Sequence, residues 1–399
     1  MTRTRPAEPL WTPDFVLAAL VNFCVGLVYM LLMTTMALYA VERFGASDAL
    51  AGLAAGMFIV GSTAGRLFAG NLVDLVGRKR VLVIALVVYV LAALSYLPAT
   101  ALPALLVVRC VHGVAFGVGS TAAISIAQGL IPPLRRAEGT GYFALSTTLS
   151  TAAGPFLALL LVRGPGYTAL FAAAVIASGL AMVLALVLRA PVVRLDPARR
   201  ARLRRFHPAD LLDARVLPVA GVMLVLGVGY SGVVTFVNSY GTGLGLAEGT
   251  GAFFLAYAAV LFVSRLLVGR VQDRRGDNVV VYPAIASFAL GLLLLARVTT
   301  DAGLVLAAAL VGLGFGTFVS AGQAIAVGQV PPVRIGVAVS TFYFMLDVGT
   351  GLGPIVLGVV VGAAGYREMY LTVAVVVALS AGLYHLAHGR RARAAGQSM

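Results

Sequence analysis

Asp347 stands near the middle of an otherwise apolar run, Phe342-Tyr343-Phe344-Met345-Leu346-Asp347-Val348-Gly349. A carboxyl removed from water favours its neutral form, so an acid placed this way can take up and release H+ near neutral pH. It can equally serve as the structural partner of an arginine, or of backbone groups near Gly349, Gly351 and Gly353. Arg109, in Arg109-Cys110-Val111-His112-Gly113, lies just as far inside its own run. An unpaired cation at that depth costs at least about 2.5–3.5 kcal/mol on insertion scales, so Arg109 is expected to face a cavity or a partner. His112 follows it on a different helix flank and reads either as a proton relay or substrate contact, or as a packed, hydrogen-bonded histidine. Asp347 and His112 are thus proton-coupling candidates by residue type, with Arg109 as the buried cation beside His112. Cys24 and Cys110 have no metal or redox spacing and read as small packing residues. The expected site therefore has no metal and no cofactor, with H+ as coupling ion.

A second kind of pattern lies between apolar runs: Gly70-Asn71-Leu72-Val73-Asp74-Leu75-Val76-Gly77-Arg78-Lys79-Arg80. Gly70 allows close helix contact and Gly77 a positive-φ turn. Asp74 can accept hydrogen bonds from the free N–H groups at the start of a neighbouring helix. The pattern returns 199 residues on as Gly269, Asp273 and Gly276, with Arg265 in place of Arg66. Asp277 and Asn278 then stand where Arg78 and Lys79 stood, so the second copy is expected to latch more weakly. Arg66 and Arg265 share a helix face with these motifs and read as snorkelling or as paired cations.

The elements that must hold these residues follow from composition. With 60% hydrophobic and 11% charged residues and a mean hydropathy of +0.99, the chain has too few polar groups to clothe a soluble globule. Continuous apolar runs fall at roughly 12–40, 49–70, 81–99, 102–130, 139–162, 167–189, 216–240, 250–268, 279–297, 302–329, 335–362 and 366–387, each about long enough to cross a bilayer as a helix. The expectation is an all-α membrane protein of twelve transmembrane helices. The 199-residue echo also relates Gly113, Phe116 and Gly117 to Gly312, Phe315 and Gly316, Pro132-Pro133 to Pro331-Pro332, and Gly154-Pro155 to Gly353-Pro354. It implies two pseudo-symmetric six-helix bundles, 1–189 and 216–399, joined by a basic linker at 190–215. Within that linker Pro197 to Leu212 reads as a surface amphipathic helix or as a disordered tether.

The net charge of +14 is distributed by topology. Arg3, Arg5, Arg78, Lys79, Arg80, Arg135, Arg136, the block from Arg189 to Arg215, Arg270, Arg274, Arg275, Arg334, Arg390, Arg391 and Arg393 fall on one side. Arg43, Arg163, Arg297 and Arg367 fall on the other. The positive-inside rule places both termini and the linker in the cytoplasm. Such charge suits anionic lipid head groups rather than nucleic acid. The first apolar run is too long for a cleavable signal core. Arginine almost wholly replaces lysine among abundant Ala, Gly and Val, a composition that suggests a high-GC bacterial genome and hence a bacterial plasma membrane. Loops are short, no nucleophile constellation is present and no ATP-binding motif occurs, which disfavours a membrane-embedded enzyme and a primary pump.

The loop from Gly70 to Arg80, repeated between spans eight and nine, together with span count, duplication and charge asymmetry over essentially the whole chain, resembles the major facilitator superfamily. The resemblance implies that Asp74 latches onto span eleven near Arg334 to Gly336 when the cytoplasmic side closes, with Arg78 beside Glu138. In proton-coupled members an arginine such as Arg109 is linked to proton transfer. Gly154-Pro155 is similar to the glycine-proline motif of exporters, and its repeat Gly353-Pro354 is also readable as a kink common to both halves. Spans one, four, seven and ten line the cavity in this family. That makes Asn22, Tyr29, Met33, Thr34, Phe116, Tyr230, Thr235, Asn238, Phe315 and Gln323 substrate-contact candidates, beside Arg109 and His112. The function implied is proton-coupled efflux of a small amphipathic organic molecule, by a chain that works as a monomer. An importer or facilitator of a sugar or organic acid is the alternative of the same fold.

Overall fold

The turn glycine predicted from the sequence and its repeat each end a helix in the computed structural model, which describes residues 9–191, 210–390 and 392. Thr12 caps the first helix, its hydroxyl accepting from the Phe15 N–H at 3.2 Å, and Pro13 follows at the first helical position. Gly77 and Gly276 adopt φ of 106° and 88°, a backbone region that favours glycine, and end the second and eighth helices immediately after the Asp74 and Asp273 turns.

Among the described residues twelve helices of 17 residues or more follow one another: α1 Pro13–Phe44, α2 Asp48–Val76, α3 Arg78–Leu94, α4 Leu102–Leu130, α5 Arg136–Arg163, α6 Tyr167–Val187, α7 Leu217–Gly243, α8 Ala247–Arg275, α9 Asn278–Ala296, α10 Asp301–Gly328, α11 Ile335–Ala364 and α12 Tyr366–Tyr384. Eleven of these segments are long and apolar enough to cross a membrane. The exception is α3. The sequence places its run at 81–99, but the helix starts directly on Gly77, taking Arg78, Lys79 and Arg80 into its first turn, and ends at Leu94 in a turn through Pro98. Its 17 residues fall short of the ~20 that a perpendicular crossing needs. Side chains such as Leu255, Val359 and Ile176 are about 70% exposed on the outer helix faces, where only lipid tails would tolerate them. The chain is a multi-pass membrane protein.

Helix packing repeats with the sequence. α1 packs on α5 and α6, α2 on α4, and α3 on α4 and α6; correspondingly α7 packs on α11 and α12, α8 on α10, and α9 on α10 and α12. The α2–α4 contact is built on small residues of both helices. A Cβ at Gly61 or Gly65 would collide with the backbone of Cys110 or Val114, and one at Gly113 or Gly117 with that of Phe58 or Ser62. Two long seams join the first half of the chain to the second: α2 against α11, and α5 against α8. The linker expected at 190–215 and its candidate surface helix lie largely outside the described residues; of the linker, Asp213 is buried and paired with Arg334 at 2.7 Å.

Candidate functional site

The seams are where the sequence motifs meet. At the end of α2, Asp74 accepts from the Gly336 and Val337 N–H groups, both at 3.0 Å, at the start of α11. At the end of α8, Asp273 accepts from Ala137 at 2.9 Å and Glu138 at 2.8 Å, at the start of α5. The four partners correspond under the 199-residue shift. Helix starts leave N–H groups unsatisfied and positively polarised, so a carboxylate held there is stabilised twice over. Gly70 and Gly269 make the approach possible, because a Cβ on either would meet the backbone of Val337 or of Ala137 and Glu138.

One expectation is corrected here, and another draws no support from the distances. The second contact, expected to be the weaker, has hydrogen bonds as short as those of the first, although Arg78-Lys79 are not repeated beside it. Arg78 does not pair with Glu138. Its guanidinium donates to the Pro332 carbonyl at 2.5 Å, while Lys79 reaches the Leu186 carbonyl at 2.8 Å. Glu138 instead bridges Arg135 and Arg270, each at 2.7 Å, and so ties α5 to α8 beside the Asp273 contact. The reason is placement: Arg78 lies on the α2–α11 seam and Glu138 on the other.

Deeper in the first seam, Asp347 accepts from Arg66 Nε at 2.8 Å, with the two side chains 18% and 5% exposed. The pair joins α11 to α2. Ser340 donates to the Arg66 carbonyl, and the Arg66 guanidinium lies 5.2 Å from the centre of the Tyr343 ring. Tyr343 in turn donates to Gln323 Oε1 at 2.6 Å. In the second seam the equivalent arginine, Arg265, is also buried, but Thr148 occupies the position of Asp347 and Gly141 that of Ser340. Among the described residues Arg265 Nε and Nη1 find no hydrogen-bond partner, and neither do Gln323 Nε2 and Arg66 Nη1. A buried unsatisfied donor costs roughly 1–3 kcal/mol, more when charged.

Arg109 and Asp347 are not brought together as a pair. Arg109 is fully buried; its Nε donates to the Ala54 carbonyl at 2.9 Å and Nη2 to that of Ala55 at 3.1 Å, and the guanidinium lies over Phe58 at 4.8 Å with Met33 Sδ at 4.0 Å. It thereby ties α4 to α2. His112 is sealed beside it, Nδ1 3.1 Å from the Tyr96 hydroxyl and its ring against Tyr89 and Phe58.

The substrate-contact candidates divide. Tyr29 stacks with Phe58 and Phe116 in the first half, and Tyr230 lies parallel to Phe315 at 4.0 Å, with Tyr257 adjoining, in the second. Tyr29 lies within electrostatic reach of Tyr230, Asp347, Arg66 and Arg109, so these groups converge between the two halves. Asn22 does not join them: its amide donates to Ser146 and Thr147 of α5 at 2.8 and 3.0 Å. Thr34 bonds its own helix, at the Met30 carbonyl, and Thr235 and Asn238 are exposed. Gly154 and Gly353 each sit against the paired helix of their own half, at Met30 of α1 and at Val228 and Ser231 of α7. The glycine-proline kinks of Pro155 and Pro354 are thus shared packing features.

Sequence reasoning noticed Arg66 and Arg265 without finding what they face. The signal was available: Asp347 lies seven residues past Ser340, on the same helix face, and the shift maps both onto α5, as Thr148 and Gly141. Tyr343 and Tyr257 carried no polar spacing that could have singled them out.

A family model described as Major Facilitator Superfamily matches residues 18–302 and 257–397. An uncharacterized MFS-type transporter of Burkholderia mallei (strain SAVP1) is 27% identical over 367 residues, covering 89% of this chain and 87% of that protein. Among solved structures, the MFS transporter FucP in the outward conformation superimposes with a TM-score of 0.78 at 15% identity, covering 95% of this chain and 99% of that one. The human organic anion transporter MFSD10 superimposes with a TM-score of 0.76 at 17% identity, covering 94% and 100%. At these identities the structural likenesses speak for the fold alone.

Proposed function

The chain belongs to the major facilitator superfamily, and on that premise we propose that it is a proton-driven secondary transporter that exports a small amphipathic organic compound by alternating access. The observation that carries this reading is the Arg66–Asp347 pair, a titratable link buried between the two halves of the chain. Two six-helix bundles rock about the α2–α11 and α5–α8 seams, which the Asp74 and Asp273 contacts hold shut at the cytoplasmic end. Both termini face the cytoplasm, and the membrane is a bacterial plasma membrane.

With the cytoplasmic seams closed, H+ arriving from outside neutralises Asp347. Arg66 then loses its anionic partner, and the deep bond between α2 and α11 weakens from an ion pair to a hydrogen bond in which only the guanidinium is charged. The seam can part, the proton leaves to the cytoplasm, and Asp347 regains Arg66 when the seam closes again around the next cycle. Arg109, bonded to α2 carbonyls without a carboxylate, is cast as a positioning residue that keeps α2 and α4 moving as one.

Inverted membrane vesicles with an imposed pH gradient test the whole reading. A panel of amphipathic drugs is added one by one, and collapse of the gradient reports exchange of a compound for H+. At least one compound is expected to dissipate the gradient with the native protein and to fail with Asp347→Asn. A variant that dissipates it as the native protein does would remove Asp347 from the coupling.

A further inference from the structure

We propose that Arg265, with Gln323, is the anchor for the carboxylate of an aromatic organic anion, so that the transported compound is an acid rather than a cation. The proposal rests on the transporter reading and names its substrate class. Four buried N–H-bearing nitrogens have no acceptor among the described residues: Arg265 Nε and Nη1, Gln323 Nε2 and Arg66 Nη1. Tyr343 lies beneath Arg66, hydrogen-bonds Gln323 Oε1, and is within electrostatic reach of both arginines.

Arg265 is 7% exposed and Gln323 1%. Among the described residues no carboxylate forms a salt bridge with Arg265, whose Nε and Nη1 lack any acceptor. Asp347, the acid of this neighbourhood, is already engaged by Arg66. The cluster therefore carries two guanidinium charges against one carboxylate, and every unsatisfied atom in it is a donor. A planar oxyanion fits that inventory: it accepts from a guanidinium fork on two sides and restores charge balance. Water would satisfy the donors without the charge, and a cationic ligand would add to the excess. Tyr257, Tyr230 and Phe315 pack ring to ring in the same half of the chain as Arg265 and Gln323, and flat rings of this kind suit an aromatic ligand body.

Binding of three probes of nearly equal shape to the purified full chain in detergent, at pH 7.5, tests the assignment. They are 2-naphthoate, 2-naphthamide and 2-naphthylmethylammonium. The native protein is expected to bind the carboxylate at least about tenfold more tightly than the amide and to reject the cation. Arg265→Gln should remove the carboxylate's advantage, and Arg265→Lys should keep part of it. Gln323→Glu, which preserves shape and adds a negative charge, should weaken naphthoate by about tenfold or more and spare the amide; it decides the matter if the Arg265 variants fail to fold. Absence of naphthoate binding, equal affinity for the three probes, or Arg265→Gln and Gln323→Glu proteins that bind naphthoate as the native one does would each overturn the proposal. Equilibrium binding needs no proton gradient. A failure of proton coupling in vesicles would thus leave the anion preference standing, and the reverse holds as well.

Discussion

The α2–α11 and α5–α8 seams are the same construction made twice, and they agree at one end and disagree at the other. At the loop end each has an aspartate on two backbone N–H groups of the opposing helix, at closely similar distances. About two helical turns deeper each has a buried arginine, but Arg66 meets Asp347 while Arg265 pairs with no acid among the described residues. The shared end is mechanical: a carboxylate on a helix start depends on backbone, which substitution cannot remove. The divergent end depends on side chains alone, and there duplication was free to assign a titratable pair to one seam and an open cation to the other.

The largest expected effect comes from erasing that divergence. Asp347→Asn makes both seams acid-free, and uphill, gradient-driven flux should fall by 100-fold or more (~2.7 kcal/mol or above) while counterflow exchange persists; flux in proteoliposomes, with and without a pH gradient, separates the two. Next comes Arg66→Met, which leaves Asp347 buried beside no cation. It should destabilise the protein by about 3–5 kcal/mol, and the double variant Arg66→Met with Asp347→Leu should recover most of the loss, as read from thermal or denaturant unfolding. If the single and double variants unfold alike, the pair is not coupled.

The matched ends make a sharper claim. Asp74→Ala and Asp273→Ala should each cost about 1 kcal/mol of the closed state, shifting its population by roughly fivefold, and by equal amounts. Labelling of a cysteine placed at the cytoplasmic end of each seam measures this. A clear inequality would restore the asymmetry that the loss of Arg78-Lys79 from the second loop suggested. The smallest effect belongs to Glu138→Gln. Its partner Arg270 is 54% exposed, so the change should be within about 1 kcal/mol and should fade in high salt.

Much of this was legible beforehand. The apolar runs located the helices, because a chain in lipid must satisfy its backbone within each segment. The turn at Gly77 and the acceptor role of Asp74 could be read from residue types, since each is a local property. The partner of Arg78 could not: Glu138 is much the nearer of the two in sequence, yet the assembled seam gives Arg78 the Pro332 carbonyl instead. The partners of Asn22 were out of reach for the same reason. Its helix was identified, but the rotation that turns it toward Ser146 and Thr147 is set by packing against α5.

The sequence by itself determined that this chain lies in a membrane, that it is one helical unit repeated, and that each unit ends a helix with an acid ready to receive another helix's start. These are consequences of hydropathy, periodicity and short-range backbone chemistry. The tertiary structure alone decided that Asp347 finds Arg66, that Arg109 is bonded to the carbonyls of α2, and that Arg265 pairs with no acid among the described residues. Charge pairing between segments hundreds of residues apart depends on helix rotation and depth, which many packed side chains set jointly and no local pattern records.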